Sequence, residues 1–130
     1  VPLADQYVLI PTEIEAINGA RTAYNATVAA TVAANSSRLA LADVNAALEG
    51  LIAAQAGIYN SAQAGIYNNV TITPNINPPT GIYSEDGAHM NSRGYAFLSR
   101  TFIEAINTTF GATVPLTDLS KYSATGLPIP

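Results

Sequence analysis

The chain has 130 residues, 48% of them hydrophobic and only 11% charged, enough apolar material for one folded domain and too much for a disordered one. A formal net charge of -4, with five Lys and Arg in all, argues against a nucleic-acid surface or an anionic membrane as partner, because no basic cluster exists to neutralise phosphates. Cysteine is absent, which removes disulfides, thiolate nucleophiles and Cys-type zinc sites, and no apolar run approaches the roughly 20 residues that span a bilayer.

Val1-Pro2-Leu3-Ala4-Asp5 carries neither Met nor the basic start of a signal peptide, so the chain reads as beginning partway through a longer or processed protein. A helix is expected from about Thr12 to Asn35. Thr12-Glu13-Ile14-Glu15 has the form of a capping box, and Pro11 helps set the entry. Ile10, Ile14, Ile17, Tyr24, Val28 and Val32 recur at helical steps and read as a core-facing stripe. The short apolar run Arg38–Asp43, centred on Leu39–Asp43, reads as a parallel-type strand buried on both faces. An Ala-rich helix follows from about Val44 to Ala54, with Asp43 or Asn45 as its cap; for Asp43, capping outweighs a catalytic role.

Ala54-Gln55-Ala56-Gly57-Ile58-Tyr59-Asn60 then returns as Ala62-Gln63-Ala64-Gly65-Ile66-Tyr67-Asn68. One repeat pair is too short for a solenoid and reads as a local duplication lengthening a loop, in which Tyr59 and Tyr67 either pack or meet a ligand. Asn68–Thr73 has the β-branched alternation of a strand, Pro74–Pro79 is a turn-rich break, and Thr80–Ser84 is a candidate hairpin partner. Asn25, Asn35, Asn69 and Asn107 begin N-x-S/T sequons of the kind an Asn- and Thr-rich chain produces by chance. The last helix is expected from about Ser92 to Phe110, capped by Asn91 or Ser92 and stopped by Gly111. Tyr95, Leu98, Phe102, Ile106 and Phe110 mark its expected buried face. Residues 112–130 read as an extended tail with little structure of their own.

The residues richest in chemistry lie between the hairpin and that helix. His89 is the only histidine, and Asp86 stands three residues before it. A carboxylate at that spacing can fix the imidazole tautomer and stabilise the imidazolium of a general base. The stretch Asp86-Gly87-Ala88-His89-Met90-Asn91-Ser92-Arg93-Gly94-Tyr95 resembles the last block of the SGNH (GDSL-type) esterases and lipases. The resemblance implies the C-terminal portion of a flavodoxin-like, three-layer α/β/α sandwich with an inserted β-hairpin, residues 1–130 forming one partial domain. It also implies catalytic roles: His89 as general base, Asp86 as the carboxylate that orients it, and Gly94-Tyr95 as the start of the closing helix. The family's G-D-S-L/I nucleophile motif and its oxyanion blocks have no counterpart here, and the serines fall in caps, loops or the tail, Ser84 and Ser92 included.

The expected function is therefore the Asp-His half of a serine ester hydrolase, inactive alone and acting on an acyl ester in the complete protein. The alternative is a non-catalytic binding or scaffold module of α/β type. No cofactor is implied. A metal site built on Glu85, Asp86 and His89 is a third reading, with too few ligands to close around zinc. The unpaired strand and uncovered helix stripes imply completion by another polypeptide, either the N-terminal half of the same protein or a second copy. A secreted or envelope location is compatible with the Lys-poor, Cys-free composition.

Overall fold

The structure, a computed structural model, describes residues 4–55 and 65–125. Its contacts divide the chain into two compact units, Val1–Leu41 and Ala42–Pro130.

The first unit is a 3-10 turn at Asp5–Tyr7 and one long helix, α1 (Pro11–Ala34). The helix starts earlier than a Thr12 cap would place it. Pro11 takes the first helical position, where its fixed φ suits the helix and its missing N–H is no loss. The cap residue is thus Ile10, which has no side-chain acceptor. Only the return half of a capping box forms, with Ile10 N donating to Glu13 Oε2 at 3.1 Å. Thr22, Thr27 and Thr31 hydroxyls donate back to the carbonyls four residues earlier, and Asn35 Nδ2 does the same at the C-terminal end. No residue of α1 is buried, so the core-facing role expected of its stripe is not what the structure shows.

The expected strand at Arg38–Asp43 is absent. These residues form a turn and extended coil, with Leu39 and Leu41 exposed. A strand needs a ladder partner for its backbone groups, and the Leu-Ala alternation lacks the β-branched side chains that favour a pleated surface. Asp43 is instead the cap of the next helix, α2 (Val44–Gln55), its Oδ1 accepting from Ala46 N at 2.9 Å.

In the second unit, α2 packs against α3 (Ser92–Phe110), and between them in sequence lies a small hairpin. Strands β1 (Ile66–Tyr67) and β2 (Val70–Thr71) pair antiparallel, Ile66 with Thr71 and Tyr67 with Val70. The turn residues Asn68 and Asn69 both have positive φ, 52° and 61°, the backbone of a type I′ turn that asparagine tolerates better than other non-glycine residues. The expected pairing of Thr80–Ser84 with the preceding strand survives only as one bridge, Thr73 with Gly81, and it is parallel. Residues 74–80 make a full loop rather than a tight turn, and the chain re-enters in the same direction.

Among the described residues, then, the only ladder is a pair of two-residue antiparallel strands. A flavodoxin-like α/β/α sandwich requires a parallel sheet covered on both faces. The architecture is mostly helical with a minimal hairpin, and the sandwich assignment is overturned.

The core gathers Leu51 from α2, Ile72 and Ile82 from the loop region, Ala96 and Phe97 from α3, and Leu119 from the tail. Ile82 and Leu119 are wholly inaccessible. Phe97 meets Tyr67 edge-on, with ring centroids 5.5 Å apart, and Arg100 lies over the Tyr67 ring while pairing with Glu104. The buried side of α3 differs from the expected one except at Leu98, which is partly buried against the core. Gly94, Ala96 and Phe97 face inward, while Tyr95, Phe102, Ile106 and Phe110 are exposed. Gly94 explains the reversal. A Cβ there would collide with the Ile82 carbonyl oxygen, so the helix comes closest to the loop on the side that carries Gly94 and Phe97.

The tail is more than a loose strap. Asn107 clamps Val114, donating from Nδ2 to its carbonyl and accepting from its N–H, each at 2.9 Å. A 3-10 turn at Leu119–Lys121 then drives Leu119 into the core, while Leu119 N donates to Asn68 Oδ1 in the hairpin turn.

Candidate functional site

Asp86 and His89 lie in a loop closed at its neck by the antiparallel bridge between Tyr83 and Met90. Ser84 N donates to the His89 carbonyl at 2.8 Å, and Gly87, at φ 71°, makes the left-handed step that lets the chain reverse. Asp86 organises the loop from within. Its Oδ1 accepts from Ala88 N at 3.0 Å and His89 N at 2.9 Å, and from the Ser84 hydroxyl at 2.7 Å. Its Oδ2 lies 2.6 Å from His89 Nδ1. The Ser84 hydroxyl and the Ala88 amide, with the His89 contacts, hold the Asp86 carboxyl well below the usual carboxylate range.

The structure therefore brings together the two residues that the sequence singled out. The ionised carboxylate at Nδ1 favours the tautomer protonated on that nitrogen, leaving Nε2 as acceptor. The His89 side chain is 77% exposed and that of Asp86 51%. Among the described residues no hydroxyl bonds His89 Nε2. The Ser84 hydroxyl is shared between the Asp86 carboxylate and the His89 carbonyl, 3.0 Å away, and makes no contact of nucleophile-base type. Ser92 opens α3, with Asn91 as the cap. Asp43, at the end of the absent strand, caps α2.

A groove of about 500 Å³ opens beside the loop, lined by Ile76, Pro78, Tyr83, Ser84, Glu85 and Asp86 among others. The His89 ring is not part of its wall. An imidazole in open solvent, outside the neighbouring groove, can exchange protons with water but has no enclosed site in which preorganised donors could stabilise an oxyanion. Among the described residues no group of three or more His, Cys, Asp and Glu is placed to hold a metal ion, and no helix is long and apolar enough to cross a membrane.

Two neighbouring residues do more than their sequence positions signalled. Asn91 accepts from Gly94 N through Oδ1, as an N-cap should. Its Nδ2 also serves the carbonyls of Gly81, Tyr83 and Ala124, at 2.8, 3.2 and 3.1 Å. Arg93 donates from Nε to the Tyr122 carbonyl and from Nη1 to that of Pro79, at 2.9 and 2.6 Å, tying tail and loop to the start of α3. Burial lowers the Arg93 pKa from its ordinary value without threatening its charge. Capping was legible for Asn91; the contacts to Ala124, Pro79 and Tyr122 join residues too distant in sequence to leave a local pattern.

Tyr67, the described member of the repeat's tyrosine pair, packs on Phe97, and burial raises its phenol pKa. Tyr59 lies outside the described residues.

Comparison with protein-family models, with curated proteins and with solved structures yields no match. Together with the helical architecture this overturns the SGNH resemblance and the ester-hydrolase function that it implied. The Asp86–His89 pair remains as geometry: a carboxylate-imidazole contact that closes a surface loop.

Proposed function

We propose that the chain is a non-catalytic binding or scaffold module, acting through apolar helix faces offered to another polypeptide. One observation carries this reading. Of the 24 residues of α1 none is buried, yet Ile14, Ile17, Tyr24 and Val28 recur along one face, 44–72% exposed. The outer face of α3 repeats the pattern with Tyr95, Phe102, Ile106 and Phe110. Scattered apolar residues on a surface are ordinary, but contiguous helical stripes of this kind mark association surfaces. The Asp86–His89 pair then serves as a lock on the loop that leads into α3.

The test pairs stripe substitutions with an activity control. Ile17→Lys with Val28→Lys on α1, and Phe102→Lys with Ile106→Lys on α3, are expected to reduce association seen by light scattering or lower the helicity of the substituted element. Unchanged assembly and helicity in both double variants would end the association reading. Hydrolysis of p-nitrophenyl acetate by the chain is expected to match that of His89→Ala; turnover abolished by His89→Ala would end the non-catalytic one.

A further inference from the structure

The α1 stripe has a period that says more than amphipathicity. From Ile10, alternating steps of four and three pass through Ile14, Ile17, Arg21, Tyr24, Val28 and Thr31, with Val32 of the stripe lying beside the last of them. That is the spacing of a coiled-coil seam, with Ile14, Arg21 and Val28 at a positions and Ile17, Tyr24 and Thr31 at d positions. Such a seam fits another helix rather than a sheet or a small ligand. The helix is about 36 Å long at 1.5 Å per residue, so the seam runs nearly its whole length.

The seam holds one charge and one aromatic ring. Arg21 makes no ion pair or side-chain hydrogen bond among the described residues, and Tyr24 sits one seam position further on. A parallel pair of copies would set Arg21 against Arg21, like charges opposed within a desolvated seam. An antiparallel pair in full overlap behaves differently. The midpoint of Pro11–Ala34 lies between Thr22 and Ala23. Symmetry about that point places Ile14 opposite Thr31, Ile17 opposite Val28, and Arg21 opposite Tyr24. Each guanidinium then meets an aromatic face, twice by symmetry, a cation–π contact strengthened by removal from water. The residues flanking the seam, Asn18, Ala20, Asn25, Thr27 and Ala34, are uncharged, and the Glu13 carboxylate is engaged by the Ile10 N–H of its own helix.

We propose that α1 pairs with α1 of a second copy as an antiparallel coiled coil, in the register that opposes Arg21 and Tyr24. This rests on the association reading above but commits it to one element, one occupant and one alignment. The natural absence of cysteine makes the register directly measurable. Single-cysteine versions of the full chain, Ile17→Cys and Val28→Cys, are prepared separately, then mixed and oxidised under mild conditions.

The expected result is a disulfide-linked dimer between the two variants, with little self-linkage of either, and a dimeric mass for the wild-type chain by light scattering. Arg21→Ala and Tyr24→Ala are each expected to weaken the dimer about tenfold, and the double variant by no more than the larger single loss. Self-linkage of each variant would show a parallel pair and overturn the proposal, as would a wild-type chain that stays monomeric at every concentration. If Phe102→Lys with Ile106→Lys abolishes assembly while the α1 variants do not, this proposal fails and the broader association reading stands.

Discussion

Asp86 spends both carboxylate oxygens on its own loop, and the acid limb of the stability curve should report it. Its folded pKa is depressed, first by the Ser84 hydroxyl and then by the Ala88 amide and the His89 contacts. A depressed carboxyl stabilises the fold at pH values above the unfolded pKa, about 3.9, and loses that contribution as pH falls through the folded value. Stability should therefore begin to fall below about pH 4 and continue to fall as the solution becomes more acid. Asp86→Asn removes the titration while keeping the side chain's size and one acceptor oxygen. The expected outcome is a variant less stable than wild type at pH 7 whose urea midpoint falls less steeply between about pH 4 and pH 2. Asp118, lowered by Ser120, retains part of the acid sensitivity in both proteins, so the slopes should differ without the variant's becoming flat. Parallel slopes would show that the loop contacts do not carry the effect. Because the pair is solvent-exposed, its worth in stability is modest, as for other surface ion pairs.

At the scale of elements, α3 is held against the loop by a contact that tolerates no side chain. At Gly94 an added Cβ would meet the Ile82 carbonyl oxygen and lie 2.8 Å from Met90 Cβ, and both obstacles belong to tightly bonded segments. Gly94→Ala should thus destabilise the second unit by about 1–3 kcal/mol or more despite the better helix propensity of alanine. Thermal unfolding followed at 222 nm checks the sign. A neutral or stabilising result would mean that the helix can slide away from Ile82 at little cost. The same contact shows why the sequence revealed the elements better than their faces. Helices α1, α2 and α3 announce themselves through periodicity, Pro11, Asp43, Asn91 and Gly111, all local signals. Which side of α3 turns inward depends on a glycine meeting a carbonyl twelve residues earlier, and hydrophobic periodicity favoured the larger Phe102 and Ile106 instead. Leu39–Asp43 failed for a related reason: its apolar run suited a buried strand, but strand formation depends on a neighbour that a local window cannot contain. The Asp86–His89 contact was legible because three residues and one turn-forming glycine suffice to make it. The function attached to it was not, since a nucleophile and oxyanion donors have to come from other elements, and among the described residues no hydroxyl meets His89 Nε2.

For the whole molecule, the question is what closes the small core of the second unit. Its core draws on α2, the loop region, α3 and the tail, and the tail contribution is concentrated in Leu119. Leu119 is wholly buried, whereas Val114 and Leu116 earlier in the tail stay more than 40% exposed. The tail thereby has one apolar anchor, supported by hydrogen bonds along its length. Asn107 sets its departure from α3, Ser99 and Thr117 share a hydroxyl contact at 2.9 Å, and Asn68 receives the Leu119 amide. Arg93 and Asn91 hold the segment that follows, through the carbonyls of Tyr122 and Ala124. Truncating a buried leucine to alanine costs about 2–5 kcal/mol, depending on how far the cavity collapses. For a domain whose total stability lies in the ordinary range of about 5–15 kcal/mol, that is a large share. Leu119→Ala is therefore expected to lower the unfolding free energy by at least about 2 kcal/mol, and Val114→Ala by less than about 1 kcal/mol. Hydrogen exchange adds a spatial reading of the same event. In Leu119→Ala, protection should fall at the amides of residues 119–122 and also at the hairpin, because the Asn68 contact is lost with the anchor. Loss confined to the tail, with the hairpin and α3 unchanged, would show that the core closes without Leu119 and that the tail merely rests on a unit already complete.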